Sequence, residues 1–230
     1  MDVGVQQQLR STFAPHPRGA NVHLLPAPSP CVDRDELQLA SATAAFRGFL
    51  EAFGLDLTDP DLAGTDQRVA RSYQAMLGGL RPGAEPRLST FPNTERYAGI
   101  LAVNEIPFYS LCAHHFLPFF GTVHVGYVPG ERLVGLSKLA RVVDFYARRP
   151  QLQERLTEQI ATLLDERLDP AGVIVAMEAR HLCMEMRGVA KPGITTTTMA
   201  VRGTLEDERL QSQFFARRTT AGVKPSLEGE

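Results

Sequence analysis

The spacing of apolar residues changes along the chain from a helical to a strand-like period. Apolar residues recur at helical spacing over 33–53, where Asp33 is the expected N-cap and Gly54 the stop, and again over 66–77. Over 121–128, valines alternate with polar or small residues, which predicts a half-buried strand. The chain therefore begins with helices and continues into a sheet.

The same periodicities predict the remaining elements. Strands are predicted at 99–104, 108–111, 173–186 and 195–205, and helices at 137–149 with Ser137 as the cap, at 150–168 with Pro150 in the first turn, and at 207–215. Helices followed by an antiparallel sheet that is backed by two helices predict the α+β class.

Proline and polar residues mark the two ends of the chain. Residues 1–32 contain five prolines and are expected to form a flexible arm, and residues 217–230 a flexible tail. Between them, residues 33–93 are the predicted N-terminal helical region and residues 94–216 the main α+β domain. The length suits one domain with a small helical appendage.

Composition and charge exclude several classes of protein. The 230 residues are 43% hydrophobic and 22% charged, as in soluble globular proteins, and the net charge of −2 gives no basis for nucleic acid or an anionic membrane as the main partner. The N-terminus lacks the apolar core of a signal peptide, and no run has the length of a membrane span. Three cysteines do not suggest a disulfide framework, so we expect a cytoplasmic protein.

Two cysteines and one histidine form the most informative set of residues. Cys112 and His115 stand in a C-A-H-H turn, and Cys183 stands far downstream in H-L-C. Structural zinc sites use four protein ligands, whereas catalytic zinc is held by three, with water in the open position. The set predicts a zinc centre that activates water. The alternatives are two buried thiols with incidental histidines, or a structural zinc module with His181 as its fourth ligand.

Two further histidines lie next to the expected ligands. His114 adjoins His115, and imidazole is suited to proton transfer near neutral pH. His181 and Cys183 are two residues apart in a predicted strand, so both side chains are expected on one face, with His181 beside the metal. The alternative for His114 is a solvated loop residue.

Basic residues, together with a neighbouring amide and carboxylate, suggest what the centre acts on. The basic set consists of Lys138 and Arg141 near the helix start at Ser137, of Arg68 and Arg71, and of Arg187. Cations beside the free N–H groups of a helix N-terminus favour phosphate, although each residue alone can equally be solvated surface charge. Gln153 and Glu154 offer the donors and acceptors that read a purine edge, and the alternative is a first-turn carboxylate favoured by the helix dipole.

Four segments of the chain together resemble the GTP cyclohydrolase I family. They are C-A-H-H-F-L-P-F-F-G-T-V-H-V-G-Y-V-P, G-L-S-K-L-A-R, R-R-P-Q-L-Q-E-R-L-T-E-Q-I and H-L-C-M-E-M-R-G, in the order and spacing of the family. The resemblance covers about residues 65–215 and leaves residues 1–32 aside.

The resemblance implies a fold, an activity and roles for individual residues. It implies that residues 94–216 form a T-fold (tunnelling fold) catalytic domain, and that the protein is a homodecamer of two pentamers with sites at subunit interfaces. It implies zinc-dependent hydrolysis of GTP to 7,8-dihydroneopterin triphosphate and formate, the entry to folate and pterin synthesis. By position, Cys112, His115 and Cys183 resemble the Zn2+ ligands, His114 and His181 the acid–base residues, Ser137 a residue near the ribose and phosphates, Gln153 and Glu154 the guanine contacts, and Lys138, Arg141, Arg187, Arg68 and Arg71 the triphosphate contacts.

Two positions depart from the pattern of the family. Ala113 stands where the family usually has glutamate, and Asp66 where it usually has proline. Neither replaces an expected ligand. The Ala113 departure leaves open a non-catalytic or regulatory T-fold relative that binds a purine or pterin, and a cyclohydrolase that stops at the ring-opened formamide is a further alternative.

Overall fold

The structure is a computed structural model that describes residues 34–220. The expected N-cap Asp33, the arm 1–32 and most of the tail 217–230 lie outside these residues. The helices are α1 Arg34–Ala52, α2 Thr65–Met76, α3 Leu136–Ala147, α4 Gln153–Leu168, α5 Leu182–Glu185 and α6 Glu208–Thr220, with 3₁₀ turns at Gly78–Leu80 and Thr204–Glu206. The strands are β1 Thr90–Pro92, β2 Leu101–Cys112, β3 Pro118–Val128, β4 Arg132–Val134, β5 Pro150–Gln151, β6 Gly172–His181 and β7 Thr195–Gly203.

One five-stranded sheet organises the chain. Its strand order is β5-β2-β3-β6-β7, and β1 and β4 pair separately as a two-stranded sheet. The neighbours from β2 to β7 are antiparallel, whereas β5 pairs with β2 in parallel over two residues. The predicted mixture of helices and a mainly antiparallel sheet is therefore confirmed, with one short parallel pair that was not predicted.

Helices α3 and α4 cover one face of the sheet. On α4, Leu156, Ile160 and Leu164 recur every four residues and are fully buried against Val123 and Val125 of β3. Each such side chain contributes about 1.5–3 kcal/mol relative to an exposed one. This packing fixes the N-terminus of α4 beside the end of β6, where the site residues lie.

The opposite face of the sheet is partly covered by α6. Phe214 of this helix is buried against Ile174 and Leu205. Gly126 of β3 lies directly beneath it, because a Cβ atom there would come within 2.8 Å of the Phe214 ring. The absence of a side chain at Gly126 is therefore required for α6 to approach the sheet.

Helices α1 and α2 pack on each other and reach the loop after β2. Phe46 of α1 stacks on Tyr73 of α2 with ring centroids 5.2 Å apart, and Tyr73 stacks on Phe116 of the loop at 6.1 Å. The buried Asp66 carboxylate lies 2.7 Å from the Arg47 guanidinium, although this contact is poorly aligned for a hydrogen bond. The first two helices thus brace the loop that follows β2.

Three sequence predictions about local structure were wrong. The two strands predicted at 99–104 and 108–111 are one strand, β2, with an irregular register between Val103 and Ile106, where Glu105 takes a positive φ of 55°. Pro150 does not begin a helix but pairs in β5 beside Leu111, so α4 starts only at Gln153. Likewise, Ser137 is not a cap, because Gly135 occupies that position.

The strand predicted at 173–186 also ends early, and this changes the setting of Cys183. β6 stops at His181, which pairs with Phe119 near the first residue of β3, so no partner strand continues beyond it. The chain then turns into the four-residue helix α5. Cys183 therefore lies on a helical turn and not on a strand. The alternation of side chains along a strand, from which its direction was predicted, does not apply to it.

None of the helices in the described part of the chain is both long and apolar enough to cross a membrane.

Candidate active site

A tight turn after β2 carries two of the predicted metal ligands. The Phe116 N–H donates to the carbonyl oxygen of Cys112 at 2.8 Å, and the Cys112 N–H donates to that of Leu117 at 2.9 Å. Phe116 takes a positive φ of 55°, which reverses the chain. Ala113 is held through its backbone, since its N–H donates to the carbonyl oxygen of Gln151 at 2.8 Å.

The three predicted ligands converge although Cys183 is distant in sequence. The sulfur atoms of Cys112 and Cys183 and a ring nitrogen of His115 all lie within 4.8 Å of one another. Sγ of Cys112 lies 3.8 Å from Nδ1 of His115. Both cysteines are buried, whereas His115 is exposed. Burial raises the pKa of the Cys183 thiol, and the neighbouring Cys112 thiol raises it further.

The geometry of these donors fits a tetrahedral zinc ion. Zinc bonds of about 2.3 Å to sulfur and about 2.0 Å to nitrogen place the donors of a tetrahedron roughly 3.5–3.8 Å apart. The Cys112–His115 separation of 3.8 Å is close to this spacing, and all three donor atoms lie within 4.8 Å of one another. The soft donor set, two thiols and one imidazole, is one that zinc favours. Within residues 34–220, the converging group contains three donors and does not include His181.

His181 lies at the end of β6, two residues before Cys183. Its ring lies parallel to that of Phe119, with centroids 4.6 Å apart and an interplanar angle of 2°. Nε2 of His181 lies 2.8 Å from Oε1 of Gln153. Burial lowers the pKa of His181, and the negative charge of Glu154 partly opposes this shift. The histidine therefore has a stacking partner and a hydrogen-bond partner, and it lies in a partly buried setting near a carboxylate.

His114 has a different environment from His181. Its side chain is exposed, and its ring meets that of His115 edge to face, with centroids 6.2 Å apart. His114 is therefore accessible to a molecule bound beside the predicted metal ligands.

Gln153 and Glu154 are neighbours in sequence but not in environment. Gln153 is 3% exposed, and its Nε2 donates to the Thr196 carbonyl oxygen at 2.8 Å. Glu154, the next residue of α4, is exposed. Its carboxylate is the one available to a ligand, whereas the amide of Gln153 already has partners within the chain.

The structure brings only some of the predicted basic residues together. Arg71 and Arg141 line one cavity of about 610 Å³, in which Arg81 and Arg148 also take part. Arg68 is not part of its lining, because its guanidinium donates to Thr65 Oγ1 and to the Ala63 carbonyl oxygen. The remaining predicted contacts lie at Ser137 and Lys138 in the first turn of α3 and at exposed Arg187 after α5.

Sequence reasoning missed several residues around the site. Arg81 and Arg148 complete the basic cavity, and only the R-R-P run pointed toward Arg148. No sequence pattern predicted that Phe119 stacks on His181, because the sequence indicated only that their strands belong to one sheet. A second cavity of about 900 Å³, mostly apolar, lies between α1, α2 and the ligand turn at His115.

Known proteins resemble this chain over most of its length. A sequence model of the GTP cyclohydrolase I family matches residues 42–219. The GTP cyclohydrolase 1 of Mycobacterium bovis (strain BCG / Pasteur 1173P2) is 54% identical over 164 residues, which are 70% of this chain and 81% of the relative. That of Mycolicibacterium vanbaalenii is 52% identical over 172 residues, 74% of this chain and 85% of the relative.

Among solved structures, the archaeosine synthase QueF-Like in the apo form aligns with 46% of this chain and 94% of its own, at 19% identity and a TM-score of 0.37, a likeness too weak to support an inference. The family match and the close relatives agree with the converging Cys112, His115 and Cys183. This chain belongs to the GTP cyclohydrolase I family.

Proposed function

We propose that this protein is a zinc-dependent GTP cyclohydrolase that converts GTP to 7,8-dihydroneopterin triphosphate and formate, the first step of folate and pterin synthesis. The observation that carries the proposal is the convergence of Cys112, His115 and Cys183 within 4.8 Å, next to His181. Family membership and identities of 52–54% to relatives named GTP cyclohydrolase 1 support the same activity.

Cys112, His115 and Cys183 would hold the zinc ion, which supplies Lewis acidity for the activation of water. The two sulfurs are buried and the imidazole of His115 is exposed, so we place the entry of a substrate base on the side of His115 and the exposed His114.

Glu154 recognises guanine in this proposal. Guanine presents a ring N–H and an exocyclic NH2 group side by side, and a carboxylate accepts both hydrogen bonds. The exposed carboxylate at the start of α4 lies close enough to His181 to influence its pKa, so a base bound to Glu154 would extend toward His181 and the donor group.

His181 and His114 move protons on the imidazole ring of the base. A proton given to N7 makes C8 electrophilic, and water then attacks C8 and opens the ring. A second water releases C8 as formate. Ribose opening, an Amadori rearrangement and ring closure return one water and give the pterin, so the overall reaction consumes one water. Ser137 assists proton movement at the ribose.

The basic residues bind the triphosphate. Arg71 and Arg141 line one cavity, and Lys138 lies three residues before Arg141 on α3. Arg68 and Arg187 are assigned to the same role by family resemblance. Phosphate binding remote from C8 contributes orientation at the reacting atom, which is how remote binding energy accelerates a reaction.

The fold, assembly and location complete the proposal. We assign the T-fold to residues 94–216, after a helical region at 33–93, with the arm at 1–32 and the tail at 217–230. A homodecamer of two pentamers in the cytoplasm, without a nucleic acid or membrane partner, agrees with the family and with the net charge of −2.

A product assay tests the proposal. Purified protein is incubated with GTP, with and without a chelator, while pterin absorbance and formate are followed. The expected result is equal amounts of both products, abolished by the chelator and restored by zinc. A ring-opened formamide without formate would indicate a shortened reaction, and GTP binding without any product would indicate a non-catalytic relative.

A further inference from the structure

Gln153 is a buried side chain whose amide links β7 to the histidine beside the metal donors. Its Oε1 lies 2.8 Å from Nε2 of His181, and its Nε2 lies 2.8 Å from the carbonyl oxygen of Thr196. The side chain is only 3% exposed. Both hydrogens of its NH2 group and one acceptor site of its oxygen are therefore used by partners within the chain.

The carbonyl group of Thr196 determines which end of the amide faces His181. A carbonyl oxygen only accepts hydrogen bonds, so the Gln153 atom that faces it must be the NH2 group. The second hydrogen of that NH2 group points to Oγ1 of Thr198, at 3.2 Å. A rotated amide would set two oxygens against each other at Thr196 and leave a buried donor facing His181. The oxygen of the amide therefore faces His181.

A chain of hydroxyl groups supports this orientation. Thr157 Oγ1 donates to the backbone carbonyl oxygen of Gln153 at 2.9 Å. Its single hydrogen is then used, so in the 2.6 Å contact between the two hydroxyls Thr198 must be the donor. Thr198 thereby keeps a lone pair for the Gln153 NH2 group. The amide of Gln153, the carbonyl group of Thr196 and the hydroxyl groups of Thr157 and Thr198 thus have one consistent set of donors and acceptors.

The same reasoning fixes the tautomer of His181. Because an amide oxygen can only accept, the ring nitrogen that faces it, Nε2, must carry the hydrogen. In a neutral imidazole the other nitrogen, Nδ1, is then the proton acceptor. The parallel Phe119 ring, 4.6 Å away, prevents the histidine from tilting out of this plane.

We propose that Gln153 is a positioning residue that holds His181 as the Nε2–H tautomer, which leaves Nδ1 as the ring nitrogen able to accept a proton. This role rests on the proposed function, in which His181 is an acid–base residue. It differs from the guanine contact predicted for Gln153 from the sequence, and it leaves recognition of the base to the exposed Glu154.

The tautomer can be read by ¹⁵N magic-angle-spinning NMR of zinc-loaded, ¹⁵N-histidine-labelled protein, at a pH of about 8, where imidazole is neutral. The His181 signals are those absent from His181→Asn. Wild-type protein is expected to show a protonated Nε2 and an unprotonated Nδ1. In Gln153→Met, which has no acceptor, we expect mixed tautomers and a kcat for GTP lower by on the order of 10- to 100-fold, with KM changed by less than about threefold.

A control variant separates positioning from packing. Gln159→Met removes another amide of the same helix, one that accepts from Gln151 and does not contact His181. It is expected to leave the tautomer unchanged and kcat within about twofold of wild type.

Three results have distinct meanings. An Nδ1–H tautomer in the wild-type spectrum would overturn the proposal, whether or not Gln153→Met folds. A Gln153→Met variant with an unchanged tautomer and a raised KM would also overturn it, because the side chain would then contact the base. Wild-type protein with the Nε2–H tautomer but no GTP turnover would instead refute the proposed function and leave the hydrogen-bond assignment standing.

Discussion

Replacing Glu154 by glutamine is expected to remove the preference of the enzyme for guanine while the fold is retained. Glu154 is exposed at the start of α4, so its replacement disturbs no core packing. In the proposed site the carboxylate accepts two hydrogen bonds from guanine, and each bond to a charged acceptor is worth about 1.5–3 kcal/mol. Glutamine keeps one acceptor and turns an NH2 group toward a guanine donor, so we expect a loss of about 3 kcal/mol.

The assay compares GTP with inosine triphosphate, which lacks the exocyclic NH2 group. A loss of 3 kcal/mol corresponds to roughly a 100-fold lower kcat/KM for GTP. The decrease in kcat/KM for inosine triphosphate is expected to be about tenfold smaller, because this nucleotide makes only one of the two hydrogen bonds even with the wild-type carboxylate. Glu158→Gln is the matched control: this exposed residue lies one turn later on α4 and pairs with Arg202.

Equal losses for the two nucleotides in Glu154→Gln would contradict the assignment, since an effect that ignores the NH2 group is not recognition of guanine. An effect of similar size in Glu158→Gln would show that charge on α4, and not contact with the base, is responsible.

Three other changes test separate parts of the account. Asp66→Asn is expected to destabilise the fold at neutral pH and to have little effect in acid. Donation from the Gln67 N–H and the neighbouring Arg47 guanidinium lower the Asp66 pKa from its ordinary value, so the stabilisation by the carboxylate is present above the ordinary carboxyl pKa and is lost as the pH falls through the lowered pKa of the folded state. Urea denaturation of wild type and variant at neutral and at acid pH measures the difference in their free energies of unfolding. An equal difference at the two pH values would contradict this role of the carboxylate. Gly126→Ala is expected to cost about 1–3 kcal/mol in urea denaturation, because its Cβ would lie 2.8 Å from the Phe214 ring; unchanged stability would contradict the packing. GMP is expected to react with a kcat/KM on the order of 100-fold below that of GTP, and equal turnover would refute the role of triphosphate in orientation.

The convergence of Cys112, His115 and Cys183 could be predicted from the sequence because their residue types are rare and restrictive. Few side chains bind zinc, and a C-x-x-H turn brings two of them together through local geometry alone. The direction of Cys183 was predicted for the wrong reason, since it lies on the turn of α5 and not on a strand. Periodicity did not reveal that β6 ends at His181, because the end depends on where its partner β3 begins.

The environments of the site residues were harder to predict than their identities. Gln153 and Glu154 are adjacent in sequence, yet one is buried against Thr196 and the other is exposed, a difference that comes from the packing of α4 against β7. The basic cavity has the same origin. Arg71 and Arg141 lie far apart in sequence and share one lining, whereas Arg68, one turn from Arg71, is held at the start of α2. Such relations depend on tertiary contacts that no local pattern encodes.

X-ray absorption spectroscopy of the zinc-loaded protein, with Cys183→Ala measured alongside, tests the central claim most directly. We expect a zinc ion with two sulfur donors and one histidine nitrogen from Cys112, Cys183 and His115, and loss of both the bound zinc and formate release in Cys183→Ala. A metal-free protein under zinc-replete conditions, a second histidine at the zinc, or full zinc content in Cys183→Ala would contradict it.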